Sequence, residues 1–411
     1  MSSNQKDIKV IQELAKKYLE LARSPVQEER RKLWAAHNSK TRTRPPVIVS
    51  YGMWNQWCKE LFAEQKLECE EKFYREHEKA IKLKLLHCEI GDDMVQEPWL
   101  ELFAVTSGDW SNHWGVEQQL TRSAQEGGAF HLEAMIKDWG ELGKLKALHH
   151  AIDEKETGRR HEKLFEAVGK IINIDVIRSP VYLNFTGDIS TDLANIRGLQ
   201  EMMLDMYENP KELHRLLAFM RDGILGNHEE AEAAGDFSIS SHENQAMPYC
   251  KELAWPKPNT PAKRKELWGF FAAQEFTLVS PDFHYEFLLR YQLPIIEKFG
   301  LTHYGCCEDL TNKIDMLRNI KNLRSIAVTP VANYHKCAQQ IKQDYLCSYR
   351  PNPSDMVCTR WDEGRIKRII TDAKNAFKDS YWHIHLKDVE TLQGDYSRLK
   401  SWVRLVRNIV G

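Results

Sequence analysis

The 411-residue chain has no apolar run approaching the ~20 residues of a membrane-spanning helix. Its first residues, Met1-Ser2-Ser3-Asn4-Gln5-Lys6, lack the charged-then-apolar layout of a targeting peptide. Charge of one sign is lacking too: a formal net charge of −2, with 28% charged residues, argues against nucleic acid or an anionic membrane as partner. No C-x-x-C pair occurs, and the nine cysteines are odd in number and scattered, which reads as reduced thiols in a cytoplasmic protein. Neither a low-complexity linker nor an internal repeat of about 20–50 residues is found. The 42% apolar content is ordinary for a globular chain able to bury a large core.

The informative part is Gly300-Leu301-Thr302-His303-Tyr304-Gly305-Cys306-Cys307-Glu308-Asp309-Leu310. A short β-like run ends on a glycine, and four potential metal or proton-transfer ligands (His303, Cys306, Cys307, Glu308) fall within six positions. Leu310, Ile314, Leu317 and Ile320 then follow at helical spacing. Strand, polar cluster, helix is how an α/β protein places reactive groups at the carboxyl end of a strand. Simple burial of the two thiols is the plainer reading of the same residues.

Two helical stretches, about 7–22 and 26–36, form an amino-terminal extension over residues 1–45. Short β-like runs are expected at 47–52, 93–99, 181–185, 237–240, 276–279, 301–304, 325–329, 345–348 and 383–386. Helices with clear apolar stripes lie between most of them, which argues for parallel βαβ units. The expected architecture is α/β, a (β/α)8 barrel over 46–411, with a charged, irregular insertion at about 100–180 lying over its mouth. Eight parallel strands are expected, with the 303–308 cluster at the carboxyl end of the sixth.

The chain resembles the uroporphyrinogen decarboxylase superfamily, and within it the branch of O-demethylase methyltransferases that work with corrinoid proteins. The residues that carry the resemblance are Gly91-Asp92-Asp93-Met94-Val95-Gln96-Glu97-Pro98, Leu267-Trp268-Gly269-Phe270, Ala273-Gln274, Val279-Ser280-Pro281, Phe299-Gly300-Leu301, Tyr304-Gly305-Cys306-Cys307-Glu308, Pro351-Asn352-Pro353, Leu386-Lys387-Asp388 and Trp402. The double-cysteine segment is the most specific of these. The branch has tyrosine where this chain has His303 and proline where it has Asp309, and the His-x-Cys zinc signature of methanogen-type relatives is not reproduced. The arginine and aspartate pattern of true porphyrinogen decarboxylases is missing.

The resemblance implies methyl transfer from a small methoxylated aromatic to the cobalamin (corrinoid) of a partner protein. A Lewis acid or proton donor must then stabilise the departing oxygen. A zinc ion held by thiolate, imidazole and carboxylate suits that role, with Cys306 or Cys307, His303 and Glu308 as the candidate ligands. Neighbouring side chains on a strand point to opposite faces, which favours Cys307 facing the site and Cys306 packed outward. Cys347 is a further candidate thiolate or a core residue. His383 and His385 share one side of the last strand, where they either complete a metal site or face outward. Glu97, held before a proline, is a metal ligand, a general acid or a salt-bridged carboxylate. Lys387 and Asp388, expected just past the last strand, form a proton-transfer or a structural pair.

Twelve tryptophans are many for this length. Trp54, Trp99, Trp110 and Trp114 flank polar turns and suit a pocket for a flat aromatic, with His113 reaching a ring hydroxyl. Asn184, Asn244 and Gln274, uncharged and near expected strand ends, suit a neutral substrate. Rival readings are a decarboxylase of the uroporphyrinogen type and a non-catalytic corrinoid-binding module.

Overall fold

The computed structural model describes residues 3–51, 66–106, 114–122 and 130–411. Ten strands occur among them: β1 (Val47–Tyr51), β2 (Trp99–Phe103), β3 (Leu120–Arg122), β4 (Phe130–Leu132), β5 (Asn173–Ile177), β6 (Trp268–Phe271), β7 (Leu301–Tyr304), β8 (Leu323–Val328), β9 (Leu346–Tyr349) and β10 (Tyr381–Val389). Six of them form one parallel sheet in the order β1-β10-β9-β8-β7-β6. With its covering helices this is a barrel-like α/β fold. Eight laddered strands are not present among the described residues, and β7 is seventh in chain order and second from the sheet edge.

Between the edges β1 and β6 run irregular segments. Of the stretch 93–99 that reads as a strand in the sequence, only Trp99 belongs to one. Here the Asp93 N–H donates to the Val47 carbonyl, but Asp93 and Asp92 carboxylates take the Val47 and Val49 N–H groups at 2.8 and 3.0 Å. Side-chain acceptors have replaced the ladder partner, so pairing stops. The Glu243 N–H donates to the Trp268 carbonyl from the β6 side.

Alternation sorts the sheet into two faces. Trp382, Ile384 and Leu386 of β10 and Cys347 of β9 join the main core under the helices. On the opposite, interior face His303 bonds Ser325, His383 bonds Ser348 and His385 bonds Ser50. The helix Pro25–Asn38 lies against that interior, with Trp34 fully buried and Asn38 donating to the Met247 and Tyr249 carbonyls at 2.7 and 2.8 Å.

The segment 100–180 does more than cover a mouth. Its strands β2 and β5 pair as a separate parallel sheet, and the helix Glu154–Val168 packs against the helix Ser3–Ala22. With the helix Lys72–Ile90 these elements share a second apolar core that includes Ile11, Tyr18, Leu85, Leu100, Leu164 and Ile174.

Candidate active site

β7 ends at Tyr304, and Gly305 turns the chain with φ +102°, in the left-handed region that glycine enters without strain. The turn brings both thiols to one place. The Cys306 and Cys307 sulfurs lie 3.5 Å apart, so the expectation that they face opposite ways fails: the strand's alternation has already ended. Cys306 is buried against Phe185, Phe270 and Ala272, and Cys307 is exposed.

Three other groups meet the pair. Gln245 Nε2 lies 3.6 Å from the Cys306 sulfur. Lys387 Nζ lies 4.0 Å from the Cys307 sulfur, and Asp388 Oδ2 lies 3.9 Å from it. Lys387 also binds Asp388 at 2.8 and 2.9 Å. Both belong to β10, which extends through Val389, and Asp388 sits there with φ 57°.

The electrostatics favour one thiolate in the pair. The hydrogen bond from Cys307 lowers the Cys306 thiol to about 6; burial opposes this, and Lys387 and Arg350 reinforce it. Donating that bond, together with burial, raises the Cys307 thiol. Arg350 is buried with no carboxylate in ion-pair range among the described residues. Its guanidinium donates to the Cys306 carbonyl and to His303 Nε2, the latter at 3.1 Å. A Cys306 thiolate supplies the counter-charge that a buried cation needs. Burial pulls Lys387 down, but Cys306 and Asp388 outweigh it and hold its ammonium above the ordinary lysine value.

The residues do not fit a zinc ion. Among the described residues no three His, Cys, Asp or Glu side chains group as metal ligands. His303 Nε2 lies 3.1 Å from both Arg350 and the Gly305 carbonyl oxygen, and Nδ1 lies 2.9 Å from Ser325 Oγ, so both ring nitrogens are taken. Glu308 accepts the Ala273 and Cys306 N–H groups at 2.8 and 2.7 Å and braces the turn. His383 lies 3.0 Å from His37 and 2.9 Å from Ser348; His385 Nε2 lies 2.6 Å from Ser50. These two imidazoles face inward, and burial holds both well below the ordinary histidine value, as neutral rings. Cys347 is fully buried in the main core, as alternation with Ser348 dictates.

Glu97 precedes β2 instead of following a strand. It bonds Arg31 at 2.9 Å and packs beside the amino-terminal helices, so it stands apart from the thiols' partners. Trp99 is buried on β2. Trp114 is fully buried, bonded to Asp192 at 2.7 Å and stacked on Tyr182, which makes it core and not a mouth residue. Trp54, Trp110 and His113 lie outside the described residues. Asn244 closes its own turn onto Met247 and Ala246, and Gln274 opens a short 3-10 turn. Asn184 lines a cavity with Glu243.

Sequence reading missed Arg350, Gln245 and Glu243. Arg350 stands directly before the quoted Pro351-Asn352-Pro353 turn, and Glu243 and Gln245 flank Asn244, so position beside chosen residues was the only signal.

No protein-family model and no curated protein sequence matches the chain. Among solved structures it is similar to a methyltransferase from Methanosarcina mazei, with 10% identity and a TM-score of 0.55 over 93% of this chain and 99% of that one. The likeness is one of fold.

Proposed function

We propose that the chain is a methyltransferase that demethylates a small methoxylated aromatic and passes the methyl group to the reduced corrinoid of a partner protein. The observation that carries this reading is the Lys387–Asp388 pair beside the Cys306–Cys307 thiols at the carboxyl end of a parallel sheet. The methyl carbon leaves oxygen for cobalt(I), whose electron pair forms the new bond. The C–O electrons stay on oxygen, which must gain a proton to leave as a phenol.

Lys387, held charged by its neighbours, is the proton donor, and the Cys307 thiol is the second one within reach. Asp388 positions the ammonium. The Cys306 thiolate and Arg350 set the field around it. No step passes through zinc. Corrinoid is bulky, so the partner's cobalt must approach from the open side where Cys307 is exposed.

The experiment is incubation of the protein with a cob(I)alamin source and methoxyarenes carrying isotope in the methoxy carbon. Label appearing as methylcobalamin, with one phenol released per methyl, is the expected result. Steady uroporphyrinogen decarboxylation without corrinoid, alongside no methyl transfer, would overturn it.

A further inference from the structure

A cavity of about 630 Å³ opens between the carboxyl ends of β2 and β5 and the segment 240–243. Two carboxylates line it, Glu101 and Glu243, and among the described residues no lysine or arginine does. Lys84 lies 3.7 Å from Glu101, so that charge is already matched. Glu243 has Asn184 as hydrogen-bond partner and, among the described residues, no cation. Asn184 is held with φ 55°, and its buried Oδ1 has no hydrogen-bond partner among the described residues. His242 supplies no charge, because burial lowers it to about 4. Burial also raises the Glu243 carboxyl to about 7, as expected of an acid with nothing positive beside it. The walls therefore offer the Asn184 Oδ1 acceptor and the unmatched Glu243 carboxylate, with Phe103, Val181 and Leu183 as apolar surface around them.

Chain neighbours of two wall residues reach the thiol pair. Phe185 follows Asn184, meets Phe270 with ring centroids 5.2 Å apart, and shares an apolar cluster with Cys306. Gln245, two residues beyond Glu243, reaches the Cys306 sulfur.

We infer that this cavity binds a protonated amine on the end of the donor remote from its methyl group, with Glu243 accepting the ammonium hydrogens and Asn184 Oδ1 taking another. The inference deepens the methyl-transfer reading by naming the donor class as an aromatic ether bearing a cationic amine. An anionic donor is disfavoured because its charge would be buried against carboxylates.

Calorimetric binding to the full chain tests it with a matched pair, para-methoxyphenethylamine and para-methoxyphenethyl alcohol, at about pH 8 where Glu243 is ionised and the amine charged. The amine should bind about 10-fold tighter than the alcohol. Glu243→Gln should erase that preference while leaving alcohol binding in place, and Glu243→Asp should keep part of it. Equal affinity for the two probes in the wild-type protein, no binding of either, or a preference that survives Glu243→Gln would overturn the inference. If Glu243→Gln loses both probes, Glu243→Asp decides: a retained preference supports the site, and its loss overturns it. No corrinoid enters the measurement, so failure of methyl transfer would leave this result readable.

Discussion

The Cys306 and Cys307 sulfurs stand 3.5 Å apart because Gly305 precedes them. A Cβ at Gly305 would meet Leu310 Cδ1 at 2.7 Å and Ala327 Cβ at 3.0 Å, and its φ of +102° excludes a comfortable L-residue as well. The turn that ends β7 thus brings two adjacent thiols to Lys387, which lies 80 positions further along the chain.

The thiol pair should hold one negative charge at neutral pH. The ultraviolet thiolate absorbance of the wild-type protein, minus that of Cys306→Ser, should titrate with a midpoint near 6. Lys387→Met should move the midpoint upward, because an attracting charge is gone. A midpoint at the ordinary thiol value in the wild-type protein would contradict the arrangement.

Zinc should not be stoichiometric. His303 and Glu308 are committed to Arg350, Ser325 and backbone N–H groups, which leaves two adjacent sulfurs and a lysine-paired carboxylate. Metal analysis of purified protein should find well under one zinc per chain, and a chelator should leave turnover unchanged. One tightly held zinc that Cys307→Ser releases would show that the ligands rearrange around it.

Acid should destabilise the fold through its buried imidazoles. Burial holds His37 at about 3 and keeps His303, His383 and His385 well below 6.5. Below the unfolded value the unfolded chain binds protons that the folded chain refuses. Stability is therefore complete above about pH 6.5 and falls as pH drops toward the folded values, by about 1.4 kcal/mol per unit for each ring. Urea midpoints should decrease from about pH 7 to pH 5, and His383→Gln should flatten the decrease. A flat or rising profile would contradict neutral burial.

Trp114→Ala should cost stability and not substrate affinity. The indole is fully buried, stacked on Tyr182 and bonded to Asp192. Its removal should cost about 3–5 kcal/mol in urea unfolding. A large rise in KM with unchanged stability would return Trp114 to the substrate site.

Much of this was legible because the relevant residues are neighbours in sequence. β7 to β10 are short apolar runs between striped helices, and the His303-to-Glu308 cluster is local. β6 escaped notice because Gly269 interrupts its pattern, while Phe276-Thr277-Leu278-Val279 reads as a better strand by composition. Yet Leu278 is 88% exposed, and the segment belongs to a 3-10 turn and the loop after it. β-propensity reports fit to a pleated surface, which that segment never meets. Arg350, Gln245 and Glu243 were invisible for another reason: they are marked out by contacts between distant segments that no local spacing encodes.

In the proposed methyl transfer, Lys387 protonates the departing oxygen without a metal. Single-turnover formation of methylcobalamin from a methoxyarene, compared between wild-type protein and Lys387→Met, tests it most directly. Methyl transfer is expected in the wild type, with a loss of about 10²-fold or more in the variant and substrate binding retained. An unchanged rate in Lys387→Met, or no methyl–cobalt product from the wild type, would contradict it.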